Sequence, residues 1–275
     1  MKSLQLSQIW IYPVKSMGGI SVTSSCVRAK GLEYDRRWML IDDQGVAMTQ
    51  RTDPKMALFK PIIQQDRMTI AFEGNTLDVP LITKTKTITP ARVWDDGVAT
   101  VEVSEHHSAW ISARLGVTCK LVFFPEENPR PVDAAFRIND EHVSLADAYP
   151  ILIIGQSSLD DLNLKLDQPV PMDRFRPNLV FTGGEPYEED AWKRFTVGTN
   201  RFSGVKPCAR CMVPTIDQQK GEKGIEPLRT LSTYRKRENK TYFGQNVLPI
   251  DQAKIHIGDS IFVEEHIAVS ISQSY

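Results

Sequence analysis

Met68-Thr69-Ile70-Ala71-Phe72-Glu73-Gly74-Asn75 is a short run of strand formers that ends in Gly and Asn, the residues of a tight hairpin turn. The same text recurs on both sides of it. Ser21 to Ala29, Arg37 to Ile41 and Arg92 to Trp94 are further strand candidates, and Asp43-Gln44-Gly45 and Asp95-Asp96-Gly97 repeat the turn chemistry. Short strands at this spacing predict a barrel or a sandwich. Residues 1–103 therefore read as one β-rich domain.

The pattern changes at Ser104, whose hydroxyl can cap a helix that runs through Trp110, Ile111 and Leu115 and stops at Gly116. A second helix is expected over Ser158 to Leu166, capped by Ser157 or Ser158, with Leu159, Leu162 and Leu166 on one face. A third is expected over Pro227 to Arg235, with proline in its first turn and Arg235-Lys236-Arg237 at its C-terminal end. Ile151-Leu152-Ile153-Ile154 and Leu179-Val180-Phe181 read as short buried strands. The expected fold class is mainly β with helices (α+β), residues 104–275 forming a second domain.

Apolar and charged fractions of 41% and 24% are those of a folded globular protein. Lys and Arg number 33 against 34 for Asp and Glu, so no global field attracts nucleic acid or an anionic membrane, and any anion site must be local. No apolar stretch approaches the roughly 20 residues that span a bilayer, and the N-terminal text lacks a basic segment followed by an apolar run. The expectation is a cytoplasmic protein with neither a nucleic-acid nor a membrane partner. Cys26, Cys119, Cys208 and Cys211 are too few and too scattered for a disulfide framework. Cys26 and Cys119 lie in strand-like text, where free cysteine acts as a small apolar residue.

Cys208-Ala209-Arg210-Cys211 carries the most chemistry and admits three readings. Two cysteines three apart are half a zinc site, but a structural zinc needs four ligands and no second pair exists. A redox pair would sit between a strand and a helix, whereas Val213-Pro214-Thr215-Ile216 predicts an extended continuation. The third reading is one soft thiolate on a transition metal carried by an organic cofactor. That reading needs an anion site elsewhere.

Lys15-Ser16-Met17-Gly18-Gly19 offers one, placing a cation, a hydroxyl and glycines on a turn, though not in the order of a Walker A loop. In Asp35-Arg36-Arg37-Trp38 the arginines alternate, so on a strand only one reaches a common site. In Arg174-Phe175-Arg176-Pro177-Asn178 the arginines would share a face with Asn178 if the segment is extended, as the proline favours. They await an anion or a carboxylate.

Taken in order, Tyr12 to Ser16, Gly31 to Trp38, Met48 to Arg51, Phe175 to Asn178, Glu189 to Trp192, Cys208 to Cys211 and Phe243 to Gln245 resemble the MOSC family. The likeness is closer to its branch with an N-terminal β-barrel, which includes the amidoxime-reducing component and bacterial N-hydroxylated-base reductases. The resemblance implies a molybdenum cofactor (Mo-molybdopterin) between the two domains. It places Lys15, Ser16 and Arg36 at the phosphate, Arg176 and Asn178 at the pterin, Ala209 and Arg210 beside the cofactor, and Cys211 on the metal. Asp147 matches an acidic residue near the metal and is the candidate for proton handling. The implied activity is reduction of small N-hydroxylated substrates, bases and amidoximes.

Two departures bear on this. No cysteine follows Cys211, so a plant-type iron–sulfur cluster has no ligands here, and the expected electron source is a separate flavin or iron–sulfur protein, or else an iron–sulfur domain beyond Tyr275. Ala148 stands where some relatives have a hydroxyl residue. The rival function is a protein that carries the cofactor or its sulfur without turnover; a solvent-open pocket containing Asp147 would favour the enzyme.

Overall fold

The computed structural model describes residues 3–83, 85 and 87–267. The opening stretch is a hairpin: Arg67–Phe72 pairs with Asn75–Pro80, and Glu73 and Gly74, at φ 46° and 76°, make its turn. With Lys60–Ile63 it forms a three-stranded sheet. A four-stranded sheet in the order Trp38–Ile41, Lys120–Phe123, Asp96–Glu102, Ile88–Val93 lies in the same half. Trp38, Phe59, Ile70, Ile111 and Leu121 belong to one buried core there. Phe59 and Phe72 stack at 4.2 Å inside it.

Helix α1 (Glu105–Leu115) closes that core and has the expected ends. Ser104 accepts from the His107 amide, and Gly116 takes φ 83° with its amide on Ser112 O. A left-handed C-terminal residue without Cβ strain is what glycine supplies.

A nine-stranded sheet organises the rest. Its order is Ile20–Val22, Gln5–Ile11, Leu179–Thr182, Ile151–Gly155, Lys240–Pro249, Asn200–Ala209, Trp192–Val197, Ile261–His266, with Lys236–Arg237 attached to Lys240–Pro249. The first two strands come from the start of the chain, so both halves are tied into one sheet. Ile151–Gly155 is buried throughout because both its faces are covered. Ile151 and Ile153 enter one core with Phe181, Trp192 and Phe202, while Leu152 and Ile154 enter another with Leu159, Leu162, Phe175 and Phe243. The protein is mainly β with few helices.

Four expected elements come out differently. Ser21 to Ala29 is two strands, Ile20–Val22 and Ser24–Arg28, because the chain changes sheets at Thr23. Trp94 leaves the strand and heads the turn, while Asp96 and Gly97 are already paired. Helix α2 is Gln156–Asn163, and neither Ser157 nor Ser158 caps it. Ser158 instead donates to Glu189 at 2.9 and 3.0 Å, and Glu189 accepts the Gly155 amide at 3.1 Å, so a buried carboxylate from a distant segment serves the helix start. Helix α3 is only Leu228–Ser232. Arg235 turns back to Asp190 instead, and Lys236–Arg237 pairs as a strand.

Glu189 has a consequence for stability. It is fully buried, and burial, only partly offset by the Gly155 and Ser158 hydrogen bonds, pushes its carboxyl up from 4.5 to about 7. Between those values the folded chain holds a proton that the unfolded chain has released. Stability therefore falls as pH rises through this window, by about 3 kcal/mol in all. Glu189→Gln removes that slope, so urea denaturation should show the variant gaining on the parent from pH 5 to pH 8. Parallel pH profiles would contradict the assignment.

Candidate active site

A cavity of about 380 Å³ gathers residues from both halves of the chain. Lys15, Ser16, Arg36, Asp147, Arg176, Asn178, Ala209, Arg210 and Cys211 all line it. Arg51, Lys206 and Lys240 add further cations, so seven basic side chains meet one carboxylate in a chain of net charge −1. The cations are concentrated here although the chain as a whole is nearly neutral.

Lys15 enters on a turn whose amide is held by Trp38 O at 2.7 Å. Its ammonium donates to Leu145 O at 2.9 Å and to Asp147 Oδ1 at 2.5 Å, which leaves one proton free. Burial lowers the lysine, though Asp147 opposes that shift. Burial would raise the Asp147 carboxyl, but the Lys15 ammonium, the Arg51 guanidinium and the Trp94 indole overcome it and hold the group well below the usual carboxylate range. Its side chain is half exposed, so solvent reaches it. In this arrangement Asp147 is the counter-ion of Lys15 and Arg51. Next along the turn, Ser16 has φ 65°, and its hydroxyl has no hydrogen-bond partner among the described residues.

The arginine text resolves into turns where strand or extended geometry was expected. Arg36 precedes the strand that begins at Trp38 and has φ 51°; it reaches Asp35 at 2.6 Å and Asn178 Oδ1 at 3.2 Å. Arg37 turns away to Glu126 and Asp35 O, so the two do diverge, though no strand separates them. Met172–Phe175 is a single 3₁₀ turn and Arg176 follows it at φ 54°, which corrects the extended reading. Arg174 then leaves the site for Pro214 O and Glu226 O. Arg176 enters it, bonding Met17 O at 2.6 Å and lying 4.2 Å from the Tyr12 ring, where Arg36 also packs at 4.3 Å. Burial pulls Arg176 down to about 10. Those buried contacts over-determine a backbone that local propensity would not choose. Asn178 ties three segments together through Trp10 O, the Leu152 amide and Arg36.

The cysteine segment straddles the end of strand Asn200–Ala209, with Cys208 inside the strand and Cys211 beyond it. The Arg210 amide is held by Thr241 O at 2.7 Å, and its guanidinium bonds Cys208 Sγ at 3.1 Å and Phe175 O at 2.8 Å. Cys211 lies one step further, on the cavity wall. Val213–Thr215 is a 3₁₀ turn, so the chain is extended only from Ile216. Among the described residues no three His, Cys, Asp or Glu side chains gather as a metal cluster. Two thiols, Cys208 and Cys211, line this wall among the cations, and the Cys208 sulfur already accepts from Arg210.

Residues 3–118 match the MOSC N-terminal beta barrel domain, and residues 140–262 match the MOSC domain. A relative named mitochondrial amidoxime-reducing component 1 from Mus musculus is 33% identical over 94% of this chain and 82% of its own length.

The chain belongs to the MOSC family.

The Homo sapiens protein of the same name is 32% identical over 94% of this MOSC chain and 82% of its own. Molybdenum cofactor sulfurase from Danio rerio is 30% identical over 99% of this chain, which spans about a third of that protein, 35% of its length. No described helix of the MOSC chain is long and apolar enough to cross a membrane. Sequence reasoning missed Arg51, Tyr149, Lys206, Lys240 and Tyr242 as cavity residues. Arg51 stood in a quoted motif, but nothing in its neighbours gave its direction. The others are placed by strand register and by the long connection before Ile151.

Proposed function

We propose that this MOSC protein is a molybdenum-cofactor-dependent reductase of small N-hydroxylated compounds, with a separate flavin or iron–sulfur protein as electron donor. The observation that carries the reading is the cavity that joins Cys211, a thiol without a hydrogen-bond partner among the described residues beside the Arg210-bound Cys208, to a surplus of cations from both halves. The residues fit the cofactor's chemistry. Lys15 has a proton to spare, Ser16 a free hydroxyl and Arg36 unused N–H groups, a donor set for a phosphate. Arg210 Nε is buried without an acceptor beside Ala209, and Arg176 and Asn178 supply polar groups for a pterin. Cys211 offers the soft thiolate that molybdenum takes.

When bound, the cofactor would accept the substrate oxygen and relay two electrons; the protein positions it and moves protons. Lys15 and Ser16 would hold the phosphate, and Asp147 on the same cavity wall would pass a proton from solvent to the oxygen released as water. The half-exposed Asp147 in an accessible cavity supports turnover over a carrier that only stores the cofactor or its sulfur. The proposal includes a division at residue 104, with residues 1–103 and 104–275 holding opposite sides of the cofactor; residues 268–275 lie outside the described ones. It also includes a cytoplasmic setting.

The test supplies electrons chemically: molybdenum-loaded protein with a reduced viologen dye should convert an N-hydroxylated base to its amine. Loaded protein that leaves such bases and amidoximes untouched would remove the reductase reading. Lys15→Ala should lower cofactor occupancy by about tenfold or more while the fold persists, read as molybdenum per chain beside a circular dichroism melt. Unchanged occupancy would move the phosphate elsewhere.

A further inference from the structure

Trp94 sits where the chain would be expected to carry glycine. Val93 pairs with Asp96, so Trp94 and Asp95 are the central residues of a two-residue turn, and Trp94 has φ 57°. Positive φ at the first central position suits glycine and strains a bulky side chain. Core packing does not explain the residue, since it is 55% exposed. Its ring lies 4.3 Å from the guanidinium of Arg51, which lines the cavity and approaches the Asp147 carboxylate at 3.8 Å. The hairpin thus holds a half-exposed aromatic ring against Arg51, a residue of the cavity wall that approaches the candidate proton-handling group. Arg51 is also a cavity cation that the cofactor assignment leaves unused.

We infer that Trp94, backed by Arg51, is a stacking platform that selects planar N-hydroxylated heteroaromatic bases over aliphatic N-hydroxylated compounds. The inference rests on the reductase reading for the kind of substrate and narrows it. An indole with a guanidinium on one face leaves the other for a base, and base–aromatic stacking accepts any planar ring. Strain kept at an exposed position is accounted for by a ligand that uses the ring.

Trp94→Gly separates recognition from folding, because glycine suits the turn; its melting temperature should stay within a few degrees of the parent. Adenine, a base that cannot react, is titrated calorimetrically into molybdenum-loaded parent, Trp94→Gly and Trp94→Phe. Its affinity should weaken about fivefold or more in the glycine variant and largely return with phenylalanine. In turnover, KM for N-hydroxylated adenine should rise by a similar factor while KM for an aliphatic amidoxime changes by less than about twofold, and any loss of kcat from removing the indole beside Asp147 should fall on both substrates alike. Unchanged adenine affinity, an equal rise in KM for both substrates, or an unstable Trp94→Gly protein would overturn the platform. Loaded parent that binds adenine through Trp94 yet reduces neither substrate would instead remove the reductase reading and leave the platform standing.

Discussion

Cys211→Ser should lose molybdenum and N-hydroxy reduction together, by on the order of a hundredfold or more, whereas Cys208→Ser should keep much of both. The two thiols are three residues apart and both line the cavity, but their sulfurs differ in partners. Cys208 Sγ accepts a hydrogen bond from Arg210 at 3.1 Å and packs against the core that holds Phe175 and Phe243. Cys211 lies beyond the end of the strand, on the cavity wall, with no hydrogen-bond partner for its sulfur among the described residues. A serine hydroxyl can replace a packed thiol with modest loss, but it cannot supply a soft anionic ligand. Metal content and dye-linked turnover of both variants decide the matter. Equal losses from the two would sink the single-ligand assignment and return attention to a paired-cysteine chemistry.

Gly204→Ala should cost about 4 kcal/mol or more, lowering the melting temperature by on the order of 10 °C. A Cβ at this position would run into the Trp192 carbonyl oxygen, stand 3.0 Å from its carbon, and crowd Gln245 Nε2 at 3.1 Å. The obstruction is backbone of a neighbouring strand, which cannot rotate aside. Gln245 donates to Asp190 O and Trp192 O at 3.4 Å, so the added methyl also displaces the amide that links the two segments. The site lies at a register shift between Asn200–Ala209 and Lys240–Pro249, upstream of Cys208 on the same strand and of Cys211 just beyond it. Cofactor retention should fall with stability. A variant that melts within a degree or two of the parent would show that the sheet yields more easily than this packing implies.

Local signals in the sequence carried as far as local physics does. Ser104 and Gly116 mark α1 because capping is decided within a few residues, and the unbroken apolar run at Ile151 marks a strand covered on both faces. Where a distant group decides, the text is silent. The start of α2 is served by Glu189, about thirty residues on, so a serine that looks like a cap is a donor to a buried acid. Arg176 and Trp94 take positive φ that neither residue prefers, held by contacts to Tyr12 and Met17 in one case and Arg51 in the other. The nine site candidates come together in one cavity, while Arg51, Lys206 and Lys240 escaped notice because surface-like lysine and arginine look alike until strand register aims them.

The contents of the cavity decide whether Lys15 and Cys211 hold opposite ends of one cofactor. Protein expressed in a host with full cofactor supply should be purified gently and analysed for molybdenum and for released pterin, each per chain. Near-stoichiometric amounts of both are predicted. Zinc in their place, or neither molybdenum nor pterin despite full supply, would contradict a cofactor held between Lys15 and Cys211.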